Sequence, residues 1–142
     1  MIRRIDDRIS VAPQIAPEDV ADIAAAGFVA IVNNRPDGED TGQPDGAEIR
    51  AAAEAAGLSY TEIPVTHAGF SGPQVEKMAA ALAAANGPVL AYCRSGTRSC
   101  NLWALAAAST GGEPDALTEK AAGAGYDIAG IRPLLDALSG KA

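Results

Sequence analysis

Two short apolar runs constrain this chain more than any other feature. Phe28-Val29-Ala30-Ile31-Val32 and Val89-Leu90-Ala91-Tyr92 are apolar at successive positions, without the alternation of a half-exposed strand. A strand that reads this way is buried on both faces, which happens mainly where helices cover both sides of a parallel sheet. Ile9 to Ala12 and Tyr60 to Val65 read as further short strands.

The stretches between them carry helix signals. Pro17 stands near a first helical position, with Glu18 and Asp19 in the first turn, and Gly27 suits the residue after the last turn. Val20, Ile23 and Ala24 supply that helix's apolar stripe. An Ala-rich helix runs from about Ala47 to Ala56 and closes at Gly57. Ser71-Gly72-Pro73-Gln74 has capping-box spacing and opens a helix that ends near Ala85, before the turn Asn86-Gly87-Pro88. Further helices are expected over Ser99 to Ser109, Pro114 to Ala122 and Ile128 to Leu138. Strands alternating with helices imply right-handed crossovers and an α/β fold. The expected architecture is a single-domain, three-layer sandwich with a mainly parallel sheet of about four to five strands flanked by helices. With 142 residues and no linker or internal repeat, positions 1–142 read as one domain.

Composition narrows the partners. The net charge is −7, which disfavours nucleic acid and anionic membranes. No apolar run approaches the roughly 20 residues of a membrane span, and Asp6 and Asp7 interrupt any leader-like core. A soluble, cytoplasmic protein is expected. Arg3, Arg4 and Arg8 read as a solvated N-terminus. The chain holds two cysteines, Cys93 and Cys100, and one histidine, His67, with no zinc-ligand spacing, so neither metal nor cofactor is implied. The oligomeric state stays open.

Against the acidic background, two cations flank one thiol in Cys93-Arg94-Ser95-Gly96-Thr97-Arg98-Ser99. Ligands of a parallel sheet bind beyond the carboxyl ends of its strands, and Cys93 follows such a strand directly. Backbone N–H groups of Arg94, Ser95, Gly96 and Thr97 through Ser99 can form an anion nest, reinforced by the N-terminus of the following helix. Gly96 permits the tight curl, Arg98 offers a planar two-pronged clamp for an oxyanion, and Ser99 can donate to the sulfur. A thiol at a helix N-terminus beside cations ionises readily and needs no histidine base. A reactive thiolate acting on a tetrahedral anion is the expectation.

The segments Ile9-Ser10-Val11-Ala12-Pro13-Gln14-Ile15, Val32-Asn33-Asn34-Arg35-Pro36-Asp37-Gly38-Glu39 and Leu90 to Ser99 resemble the beta-lactamase-hydrolase-like, phosphatase-like domain family. That family is similar to tyrosine and dual-specificity phosphatases, so the resemblance, over roughly Asp7 to Leu138, implies a tyrosine-phosphatase-like fold. It implies hydrolysis of phosphate monoesters through a Cys93 phosphocysteine, with Arg98 on the equatorial oxygens and Ser99 assisting departure of the sulfur. Three departures stand out. The loop has one residue fewer between cysteine and arginine than the tyrosine-phosphatase pattern. Tyr92 stands where that pattern usually has histidine. The region Ile63 to Gly69 offers no aspartate as general acid, leaving His67, Asp37, Glu39 or Asp40 as candidate proton donors or substrate contacts.

The four-residue gap also resembles rhodanese-type sulfurtransferases, which would carry sulfane sulfur as a Cys93 persulfide and need no general acid. A non-catalytic oxyanion-binding module is the third reading. The partner is accordingly a small anionic substrate or a phosphorylated or persulfidated molecule. Arg35 is a candidate anion contact behind the loop or a structural ion pair. Cys100 is a candidate resolving thiol, with helix packing the default. Trp103, Leu102, Leu105 and Ala106 read as packing of the helix after the loop, and Phe70 and Tyr126 as residues of the core or the substrate mouth.

Overall fold

The structure, a computed structural model, describes residues 1–140. The strands are β1 (Arg3–Arg4), β2 (Ile9–Ala12), β3 (Ala30–Asn33), β4 (Ser59–Glu62) and β5 (Val89–Tyr92). The helices are α1 (Val20–Ala25), α2 (Gly46–Ala55), α3 (Gly72–Ala84), α4 (Thr97–Ser109), α5 (Pro114–Gly123) and α6 (Arg132–Ser139). A single five-stranded sheet has the order β1-β2-β5-β3-β4. β2, β5, β3 and β4 are parallel, and β1 closes one edge antiparallel to β2. The α/β sandwich with a mainly parallel sheet is thus what the sequence predicts.

The pleat explains the non-alternating runs. Val89 and Ala91 of β5 join Ile9, Val11, Ala30 and Val32 in one core, against Met78 of α3, Leu102 and Leu105 of α4, Leu117 of α5 and Leu135 of α6. Leu90 and Tyr92 point the other way, with Ala12 and Ile31, into a second core with Val20 and Ile23 of α1 and Ile49 and Ala53 of α2. Successive side chains enter opposite cores, so every position must be apolar. The register sets Ala12, Asn33 and Tyr92 side by side, and pairs Asn33 with Glu62, at the carboxyl edge. The chain leaving each strand emerges there.

Several boundaries differ from the sequence reading. β3 sits one to two residues later than Phe28–Val32. β4 stops at Glu62 rather than Val65 because Pro64 has no N–H to pair, although the Ile63 and Val65 N–H groups still reach the Asn33 and Asn34 carbonyls at 2.8 and 2.9 Å. α4 begins at Thr97, two residues before Ser99, which brings Arg98 into its first turn. The last helix is split, with a 3-10 turn at Ala129–Ile131 ahead of α6 and Pro133 in the first turn of α6.

The N-terminal arginines are exposed, as expected, but they are more ordered than a solvated tail. Arg3 and Arg4 form the edge strand β1, where charged side chains blunt an otherwise sticky edge. Arg3 Nη1 donates to the Ala124 carbonyl at 3.1 Å, and its guanidinium lies 5.9 Å from the centre of the Tyr126 ring. Arg8 Nη2 donates to the Leu82 carbonyl at 2.9 Å. Two residues of strand give too little periodicity to register in the sequence. Among the described residues no helix is long and apolar enough to cross a membrane.

Candidate active site

Cys93 follows β5 and is fully buried. The Gly96 N–H points at its sulfur, at 3.1 Å. Gly96 is also the N-cap of α4 and takes φ +91°, a left-handed conformation glycine adopts without strain. Side-chain space is closed as well, since a Cβ on Gly96 would lie 2.2 Å from the Tyr126 hydroxyl oxygen. The loop rim is fixed from several sides. The Cys93 N–H donates to Ala12 O at 3.3 Å, Gln14 N–H to Arg94 O at 3.4 Å, and Tyr126 Oη to Ser95 O at 3.1 Å. The Ser95 hydroxyl donates to Thr97 Oγ1 at 3.1 Å.

The two cations expected around the sulfur part company. Arg94 is two-thirds exposed and lies 3.5 Å from Asp40, at the outer rim. Arg98 is largely buried and gripped by a fork. Its Nη1 and Nη2 donate to Glu39 Oε2 and Oε1 at 2.7 and 2.8 Å, and Nη1 also reaches the Val65 carbonyl at 2.7 Å. Its guanidinium is held in the charged form first by Glu39, with the nearby Cys93 adding to the effect. This is the two-pronged geometry expected for an oxyanion, with a carboxylate as its present partner.

Glu39 is shared. Arg35, only 4% exposed, donates from Nε to Glu39 Oε1 at 2.9 Å, from Nη2 to Asp40 Oδ2 at 2.7 Å and from Nη1 to Gln14 Oε1 at 3.1 Å. The Arg98 hydrogen bonds hold the Glu39 carboxyl far down, at about 2, against burial and with help from Arg35. A carboxylate that ionised has no proton to give at neutral pH, which removes Glu39 from the candidate general acids. Asp37 Oδ1 accepts the Gly46 N–H at 2.8 Å, at the start of α2. Asp40 is tied to Arg35 and faces Arg94. His67 lies exposed in the turn after Val65, whose carbonyl accepts from Arg98. Arg35 is an internal ion-pair hub instead of an anion contact.

Ser99 also departs from expectation. Its hydroxyl donates to Asn34 Oδ1 at 2.8 Å, which commits the single proton away from the sulfur. Asn34 in turn donates from Nδ2 to Ile63 O and from its backbone N–H to Tyr92 O, joining β3, β4, β5 and α4 beneath the site. Beside it, Asn33 Nδ2 donates to Tyr60 Oη, and Tyr60 donates to Glu62 Oε1 at 2.8 Å. Burial pushes the Tyr60 phenol up to about 12 and the Tyr92 phenol higher still. Tyr92 is therefore a neutral, 1% exposed residue, not an ionising stand-in for histidine.

Cys100 is fully buried in the α4 core, and burial chiefly, with Cys93 nearby, pushes its thiol up to about 12. A thiol that stays protonated makes a poor resolving nucleophile. Trp103, Leu102, Leu105 and Ala106 pack in the core. Phe70 packs partly buried against that core, whereas Tyr126 reaches the loop. Gln14 and Asn34 are participants that sequence reasoning did not assign, and Tyr126, read there as core or substrate mouth, contacts the loop itself. Gln14 and Asn34 lie within the quoted family segments, but for Tyr126 no local pattern announces a partner 31 residues away.

Comparisons with known proteins bear on family and fold. Residues 1–110 match the model of the phosphatase-like domain of beta-lactamase hydrolase-like protein. The chain belongs to that family. It is 39% identical over 108 residues to the beta-lactamase hydrolase-like protein of Agrobacterium fabrum, an alignment covering 76% of this chain and 25% of that one. The chain thus corresponds to about a quarter of its curated relatives' length. The crystal structure of a candidate phosphatase from Neisseria meningitidis superimposes with a TM-score of 0.82 at 36% identity, covering 96% of this chain and 97% of the other. The active form of Tk-PTP has a TM-score of 0.74 at 19% identity, covering 99% and 97%, and shares the tyrosine-phosphatase-like fold. The chain is a phosphatase-like domain of that fold.

Proposed function

We propose that this domain is a cysteine-dependent phosphatase-type hydrolase. The Cys93 thiolate attacks the phosphorus of a phosphate monoester, the ester oxygen leaves with the bonding pair, and water then hydrolyses the S–P bond to release phosphate. The supporting observation is the Gly96 N–H aimed at the sulfur beside a charged, forked Arg98. One donor addresses the nucleophile, and the other fits the equatorial oxygens of the group under attack. Because Asp37, Glu39 and Asp40 are engaged in other bonds, the preferred substrates are aryl esters, whose phenolate departs without strong protonation, with exposed His67 the remaining donor.

That engagement also favours a second reading. In sulfane transfer, Cys93 attacks the outer sulfur of a thiosulfate-type donor, sulfite leaves with the S–S bonding pair, and a Cys93 persulfide remains. Sulfite needs no proton to depart. The test is a paired assay of phosphate release from an aryl phosphate and thiocyanate formation from thiosulfate and cyanide, for wild type and Cys93→Ser. Cys93-dependent phosphate release that disappears in the serine variant supports the hydrolase. Cys93-dependent thiocyanate with background phosphate release overturns it in favour of sulfur transfer.

A further inference from the structure

We infer that Tyr126, from the turn between α5 and α6, is a positioning residue that holds the Ser95–Gly96 peptide with its N–H toward the Cys93 sulfur. The inference deepens the reading of Cys93 as the nucleophile, whichever group it carries, and rests on that reading.

The carbonyl of Ser95 and the N–H of Gly96 belong to one peptide unit. In a trans peptide those two groups point in opposite directions. Here the outer end accepts the Tyr126 hydroxyl at 3.1 Å, and the inner end donates to Cys93 Sγ at 3.1 Å. A bond at the carbonyl polarises the unit and strengthens the N–H as a donor. It also fixes the plane. This matters because the peptide precedes a glycine at φ +91°, where no Cβ resists rotation.

Tyr126 is braced in turn. The Arg3 guanidinium lies over its ring and donates to the Ala124 carbonyl, and Gly125 leaves room for it, since a Cβ there would lie 2.6 Å from Arg3 Nη1. Burial pushes the Tyr126 phenol up, so it remains a donor across the neutral range, even with Arg3 opposing. The edge strand β1 and the α5–α6 turn thus meet over the back of the cysteine loop. The other charged groups about the sulfur are Arg98 in α4, with Glu39 and Arg35 behind it, and Arg94 near Asp40 at the rim. Buried Cys100 lies behind the sulfur in α4. Tyr126→Phe alters none of these and preserves the ring under Arg3.

The experiment measures alkylation of Cys93 by iodoacetamide, followed by mass spectrometry from pH 5 to 10, with the melting temperature of each variant. It requires no turnover, so it stands apart from the paired assay: a chain that fails there as an enzyme still reports on the loop here. Tyr126→Phe is expected to react about five-fold more slowly at neutral pH, and to converge with wild type at high pH. Convergence separates weaker thiolate stabilisation from blocked access. A profile that superimposes on wild type, or one slowed equally at every pH, overturns the inference. Should Tyr126→Phe fold poorly, Arg3→Gln leaves the hydroxyl in place but loosens the ring. It is expected to show a smaller slowing of the same shape, and a wild-type profile in that variant overturns the inference.

Discussion

The loops that follow β5 and β3 meet at the same end of the sheet but are built from different materials. The loop after β5 is a backbone device, with a glycine N–H on the sulfur, an amide plane fixed by a phenol, and a helix start. The loop after β3 is a side-chain device, with Arg35, Glu39 and Asp40 in ion pairs and Asp37 capping α2. Backbone donors carry no ionisable proton, whereas the Glu39 carboxylate loses its charge in strong acid. The first loop is therefore sensitive to volume and to the conformation at Gly96, and the ion pairs of the second to strong acid and salt. They touch at the Arg98–Glu39 fork and, at the rim, between Arg94 and Asp40.

The sharpest way to break this contrast is Gly96→Ala. The new methyl meets the Tyr126 hydroxyl and must adopt a left-handed conformation that costs about 1–2 kcal/mol for a non-glycine residue. Activity should fall by at least about ten-fold while the far-UV circular dichroism spectrum persists. Wild-type rates in this variant would show that the curl of the loop is unimportant.

Next comes the side-chain loop. Because the folded Glu39 carboxyl sits near 2, below its ordinary value of 4.5, its contribution to stability is full above about pH 4.5 and is lost as pH falls toward 2. The melting-temperature gap between wild type and Glu39→Gln should stay constant from pH 7 to 5 and close below that. A gap independent of pH down to 2.5 would mean the fork adds no charge-dependent stability.

Smallest is Asp37→Asn, which weakens the acceptor for the Gly46 N–H at the start of α2. A loss of about 0.5–1 kcal/mol in urea unfolding is expected, with catalysis little changed. A collapse of activity would place Asp37 in the chemistry.

The sheet was legible because its central strands β3 and β5 must satisfy two cores at once, which stamps a near-continuous apolar run on the sequence, and α3 because Ser71 and Gln74 cap it at fixed spacing. The cysteine loop was legible for the same reason: strand, thiol, glycine, arginine and helix lie in consecutive positions. The partners of its side chains were not. Glu39 and Asp37 look alike as loop carboxylates, and only the fold decides that one faces Arg98 and the other a helix N-terminus. Ser99 looked ready to serve the sulfur until Asn34, 65 positions away, claimed its proton. Arg3 and Arg4 lacked the length to reveal a strand. Contacts across such separations leave no period in the sequence.

The contact between Ser95 and Tyr126 has a consequence for how knowledge travels between relatives. The match to the family model ends at residue 110, while the hydroxyl on the Ser95 carbonyl of the cysteine loop is supplied from position 126. A relative that aligns over the shared segment can possess every residue of the cysteine signature and still lack this support. Its reactivity must then be settled by whatever its own tail, or a neighbouring domain, places against that carbonyl. On the role inferred for Tyr126, a match to the family model over residues 1–110 carries the cysteine signature without the residue that braces its loop.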